Sequence, residues 1–113
     1  MYQEKIDAYF SDPAVRKELI AAVSRLVGVK SVREEPQPGA PFGPGPRAAL
    51  DEAVKLCAEL GFESRNYDNY VGIADLNDKP TQLHILGHLD VVADVNWWNT
   101  ETYTCVEKDG MLY

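Results

Sequence analysis

The stretch LHILGHLDVV, Leu83 to Val92, constrains this chain more than any other: it is an apolar run that carries two histidines and an aspartate. Bounded upstream by Pro80 and Thr81, a run of this length reads as a buried strand. Buried polar groups are tolerated only when paired or coordinated, so His84, His88 and Asp90 must find partners. On a strand, His84, Leu86, His88 and Asp90 point one way while Ile85, Gly87, Leu89 and Val91 point the other. His88 and Asp90 are then neighbours near the strand's exit. Spacing leaves two uses open for them. One is a hydrogen-bonded structural pair, the commoner case; the other is a metal-ligating imidazole whose second ring nitrogen is held by a carboxylate. His84 lies about 13 Å from His88 along a strand, too far for one metal to bridge both, and reads as a core or surface histidine.

Around this strand the pattern is that of an α/β fold, helices packed on a small mixed sheet. Asp12 and Pro13 form an N-cap and first-turn pair, and Val15, Leu19, Ala22, Val23 and Leu26 make one apolar stripe that Gly28 closes. A shorter helix from about Gln3 to Phe10 precedes it, with Ile6 and Phe10 on one side. Residues 30 to 47, KSVREEPQPGAPFGPGPR, hold five prolines and three glycines and read as a long loop, either a connector or a lining for a site. Leu50, Ala53, Val54 and Cys57 then give a second amphipathic helix ended by Gly61. FESRNY and YVGIADL read as paired strands about Asp68 and Asn69, and Asp109-Gly110 marks a second hairpin. The second arm of that hairpin, Met111 to Tyr113, is short for a strand. The expectation is therefore one domain, residues 1–113, that breaks off inside its last hairpin.

Composition excludes some functions. Eighteen acidic against eleven basic residues, a net charge of -7 and no basic cluster argue against a nucleic-acid partner, whose affinity rests on Lys and Arg. No apolar stretch approaches the length of a bilayer span, and MYQEKIDAYF lacks the features of a leader. Cys57 and Cys105 fit reduced thiols, with a disulfide between them left open. A soluble cytoplasmic protein is expected. Trp97 and Trp98 either line a substrate pocket or, more commonly, cover an edge of the core; Asp94 reads as solvated or capping a turn. Glu34 and Glu35 have no evident partner.

The ordered words SVREEP, PFGPGPRAALDEAVKLCAELGF, NYDNYVG, LHILGHLDVV and KDGMLY resemble the N-terminal part of the dinuclear zinc exopeptidase family. That family contains aminoacylases, carnosinases and acetylornithine deacetylase, and within it the words look closest to bacterial PepV-type dipeptidases. The resemblance implies metal-dependent hydrolysis of dipeptides by the intact protein, a small peptide as substrate, and two zinc ions, with manganese or cobalt as alternatives. It also implies that His88 is a metal ligand and Asp90 the catalytic-site aspartate that orients it. Where the family continues with a proline and a glycine-rich turn, this chain has Val91 to Trp98 without either. The family's later Gly-Arg-Gly, Asp-Asp-Lys-Gly and Glu-Glu motifs, which supply the bridging ligand and the general base, have no counterpart in these residues. One histidine and one orienting aspartate cannot activate water by themselves. The rival expectation is a non-catalytic stand-alone binding or assembly module, self-associating through exposed strand edges.

Overall fold

The computed structural model describes all 113 residues. Helix α1 (Tyr2–Ser11) turns directly into α2 (Pro13–Val27) at Asp12. The Asp12 carboxylate accepts the Ala14 amide at 2.8 Å, satisfying one of the first-turn N–H groups that no intrahelical carbonyl reaches. Pro13 sits at the first helical position, where its missing N–H costs nothing.

Helix α3 (Pro44–Glu59) starts inside the stretch expected to remain a loop to Arg47. The prolines that read as breakers, Pro44 and Pro46, occupy its first turn, where amide hydrogens go unused. At the other end the Gly61 amide bonds to the Ala58 carbonyl and the Phe62 amide to the Cys57 carbonyl, both at 3.0 Å. With φ of 92° at Gly61, this is the left-handed closure expected from the sequence.

Strands β1 (Glu63–Tyr67) and β2 (Val71–Asp75) pair antiparallel, with Glu63 opposite Asp75 and Tyr67 opposite Val71. Their turn places Asp68 and Asn69 at φ of 51° and 63°, and the Asn69 amide bonds back to the Asn66 side chain at 2.9 Å. A second antiparallel hairpin joins β3 (Glu107–Lys108) to β4 (Met111–Leu112) about Asp109-Gly110. Reciprocal 2.9 Å bonds between Val106 and Tyr113 extend it by one pair.

The α/β class is as expected: three helices and two small antiparallel sheets, with α3 packed on β1 and β2, α2 on α3, and α1 on α2. One element departs from expectation. LHILGHLDVV forms no strand; it makes a single parallel bridge, Val32 to Val91, and Ile85 and Leu86 are 89% and 98% exposed. The apolar pattern states a demand for burial, and no layer here meets it. Only five residues are buried, Ser31, Ala40, Gly43, Ala49 and Leu50. The chain measures 49 × 42 × 20 Å with a radius of gyration of 16.4 Å, against about 13 Å for a compact domain of this length. It is a thin slab rather than a closed core.

Two contacts hold the slab together. Arg25 of α2 donates to Glu52 at 2.6 Å and to both oxygens of Glu59, tying α2 to α3 over two turns. These bonds raise the Arg25 pKa, with Glu59 the larger cause, and lower that of Glu59. A carboxylate with a lowered pKa stabilises the fold above its unfolded value and loses that contribution as pH falls through the lowered one. At the start of α3, a β-carbon on Gly45 would collide with the Lys30 carbonyl, and one on Gly43 would lie 2.8 Å from the Glu34 β-carbon. Bare glycine backbone lets residues 30–34 pass against the helix entrance.

Two outcomes are expected. Gly45→Ala should destabilise the chain by about 2 kcal/mol through overpacking, measured by urea unfolding. Glu59→Gln should reduce the loss of thermal stability as pH falls below the ordinary carboxylate range, measured by thermal unfolding of wild type and variant across that range.

Candidate functional site

Ser31 organises the region where the histidine and aspartate lie. Its hydroxyl donates to the Leu89 carbonyl at 2.7 Å, and its own carbonyl accepts the Val91 amide at 3.3 Å. Ser31 is 3% exposed, so both bonds are shielded from water. They clamp the end of the 83–92 run onto the segment that Gly43 and Gly45 admit.

His88 and Asp90 project from this clamped end. The His88 Nδ1 lies 3.0 Å from the Asp90 carbonyl oxygen and 3.3 Å from its carboxylate Oδ1. Both oxygens are acceptors, so they favour the tautomer protonated at Nδ1 and leave the Nε2 lone pair free. The His88 side chain is 82% exposed and that of Asp90 62%. The sequence expected these two to meet on one face of a strand. They meet in an extended, unpaired segment instead, and the backbone carbonyl shares the contact with the carboxylate. His84 is an exposed residue of the same segment.

Both residues edge a groove of about 560 Å³ between α3, β2 and residues 85–90. Its floor is apolar: Leu50 and Val54 of α3 meet β2 at Gly72, where an added β-carbon would lie 2.9 Å from a Leu50 methyl and 3.0 Å from a Val54 methyl. Arg33, Phe42 and Tyr70 form the polar and aromatic part of the rim. Phe42 and Tyr70 stack edge to face at 5.4 Å. Cys57 also lines the groove as a free thiol, and Cys105 is likewise unpaired.

Trp97 and Trp98 are both exposed, at 79% and 53%, and neither lines this groove. Asp94, expected to be solvated or to cap a turn, joins an ion pair with Lys30 at 3.5 Å and accepts from the Tyr103 hydroxyl at 3.4 Å. The Lys30 ammonium also sits 5.5 Å from the centre of the Tyr103 ring. Nothing in the local spacing could have signalled this trio, since its members lie far apart in sequence. Ser31 and Arg33 were missed for the same reason: both take their places through the pairing of residues 31 and 32 with residues 89 and 91.

As a metal site the arrangement is incomplete. No three His, Cys, Asp or Glu side chains converge where they could hold an ion. A zinc site needs three or four protein donors, and this chain offers one oriented imidazole with an acceptor behind it. The donor set fits a contribution to a metal site, and does not fit a whole one.

No family model matches the chain. Several curated proteins do. A Bacillus subtilis (strain 168) protein named "Putative dipeptidase YtjP" is 27% identical over 100 residues, which cover 87% of this chain and 22% of the relative. A "Putative dipeptidase" of Staphylococcus haemolyticus (strain JCSC1435) is 28% identical over 114 aligned positions, 99% of this chain and 23% of its own length. One of Staphylococcus aureus (strain USA300) is 30% identical with the same coverage. The likeness is to proteins that carry a dipeptidase name. The chain spans about a quarter of the length of the curated relatives it matches. No helix is long and apolar enough to cross a membrane.

Ser31→Ala should loosen the site without unfolding the slab. A lost hydrogen bond of about 1 kcal/mol predicts roughly fivefold faster hydrogen exchange at the Val91 amide, with exchange in α3 unchanged.

Proposed function

We propose that this chain is part of a metal-dependent dipeptidase, in which His88 is a metal ligand and Asp90 holds its ring in place. The observation that carries the reading is the coincidence of two facts. The residues from end to end align with proteins named as dipeptidases, and the one His-x-Asp word in the chain forms a contacting pair at the rim of its main groove.

The chain's own residues would do three things. Asp90, through its carbonyl and carboxylate, would keep the Nδ1 proton in place and direct Nε2 outward. Ser31 would hold the backbone on which both stand. The apolar floor formed by Leu50 and Val54 would exclude water from one side of a bound peptide. Zinc, with manganese or cobalt as the alternatives, would supply Lewis-acid polarisation of the peptide carbonyl and activation of water. Its remaining donors would come from residues beyond these 113, in keeping with the quarter-length match. The substrate would be a small peptide and the compartment the cytoplasm.

A second reading is favoured by the open face of the slab. β1 and β2 each have one unpaired edge, and Val71, Ile73, Ile85 and Leu86 stand exposed beside it. Such a surface suits an assembly module that self-associates through its edges. Light scattering separates the two readings: a monomer across the micromolar range is expected from the first, and a defined oligomer from the second.

In the longer protein, His88→Ala should lower bound metal and dipeptide hydrolysis together, activity falling at least about a hundredfold if a ligand is lost. Unchanged metal content with full activity would remove His88 from the site. The 113-residue chain alone should retain no stoichiometric zinc after dialysis, because a single imidazole cannot hold it; metal analysis of the dialysed protein measures this.

A further inference from the structure

We infer that Lys30 is a positioning residue: its ammonium latches residues 94–103 into one loop and so fixes the chain where it leaves the His88 and Asp90 pair. The use made of that position rests on the dipeptidase reading. The Lys30 Nζ lies 3.5 Å from the Asp94 Oδ1 and 5.5 Å from the centre of the Tyr103 ring. The Tyr103 hydroxyl donates to that same Asp94 oxygen at 3.4 Å. Three attractions thus meet at the base of a loop whose ends are nine positions apart in sequence.

Nothing else of this kind holds the loop. Apart from the Lys30 and Asp94 pair, no hydrogen bond or ion pair joins residues 93–105 to the rest of the chain. Between Gly87 and Gly110 there is neither glycine nor proline, so the path is not set by special backbone residues and falls to side-chain contacts. The backbone at Tyr103 points the same way. Four non-glycine residues have positive φ, and three of them, Asp68, Asn69 and Asp109, are short polar residues that hairpin turns accept there. Tyr103, at φ of 58°, is a bulky aromatic in the same region. A conformation that its β-carbon opposes persists only where the surroundings impose it. The bond to Asp94 and the ammonium against the ring supply that hold.

Lys30 is itself a fixed point. Its carbonyl lies against Gly45 in the first turn of α3, where no β-carbon would fit. The next residue, Ser31, binds Leu89 and Val91, one on each side of Asp90. Residues 30 and 31 therefore grip one segment twice, at 89 and 91 through Ser31 and at Asp94 through Lys30. A segment held at one place can pivot about it, and a second hold fixes its direction. Each contact alone is weak, since the Lys30 and Asp94 side chains are 58% and 39% exposed. Their convergence makes one charge responsible for the closure.

The chain's two tryptophans, Trp97 and Trp98, both lie inside the loop, so the fluorescence anisotropy decay of the 113-residue chain reads loop motion directly. At low ionic strength the wild-type indoles should tumble with the molecule. Lys30→Met and Asp94→Asn should each raise the population of freely moving loop roughly two- to fivefold, the range set by an exposed ion pair. Both should also lower the heteronuclear NOE of the amides from Asp90 to Ala93, with circular dichroism unchanged. Lys30→Arg, which keeps the charge and the ring contact, should restore the wild-type decay. Salt at about 1 M should loosen the wild-type loop and leave Lys30→Met as it was. A decay that neither substitution changes would overturn the latch. A loosened loop with unchanged NOE at residues 90–93 would overturn the positioning of the pair. Neither failure touches the dipeptidase reading, which the metal content of the longer protein carrying His88→Ala judges separately.

Discussion

The rest of the structure depends on how closely two backbones approach at the entrance to α3. Gly43 and Gly45 have no side chain, so residues 30–34 run against the first turn of the helix with nothing between. That contact is what buries Ser31, and buried Ser31 is what holds Leu89 and Val91. The histidine and aspartate are thus positioned by two glycines that lie far before them in sequence. The prolines beside those glycines serve the same end, since Pro44 and Pro46 fix the backbone for a helix start without leaving amides unsatisfied.

Several charged groups hold the slab together. Arg25 spans Glu52 and Glu59 on one face of α3, and Arg47 bonds Asp51 and the Gly39 carbonyl. Asn69 in the β1–β2 turn reaches that same carbonyl at 2.9 Å, so the hairpin and the proline-rich loop share an anchor. By contrast His88, Asp90 and Arg33 have only each other, an aromatic ring or solvent. Four of the five arginines are matched by a carboxylate within the chain, and Arg33 at the groove is not.

Much of the fold could be read from the residues. Asp12, Gly61 and Asp109-Gly110 announce helix ends and a hairpin because each satisfies or permits a specific local backbone geometry. The start of α3 was harder, because proline marks both a broken helix and a begun one, and the apolar register of Leu50, Ala53 and Val54 does not say how far upstream the first turn reaches. LHILGHLDVV exposes a different limit. Its apolar pattern encodes that it should be covered, while the cover is a matter of other residues, and Ile85 and Leu86 stand in solvent. The meeting of His88 with Asp90 was legible, since it needs only two residues of spacing. The role of Ser31 was not, because it arises from a pairing between distant segments.

That distance has a kinetic consequence. The Ser31–Leu89 bond closes a chain of 58 residues, and closing a free loop of that size costs roughly 3–4 kcal/mol of chain entropy. Helix α3 and the β1–β2 hairpin form from near neighbours and shorten the effective loop once in place. The segment bearing His88 therefore closes onto Ser31 more readily once they are in place. Between residues 83 and 92, the histidine and aspartate stand on a stretch that only two hydrogen bonds, both to Ser31, tie to the rest of the chain.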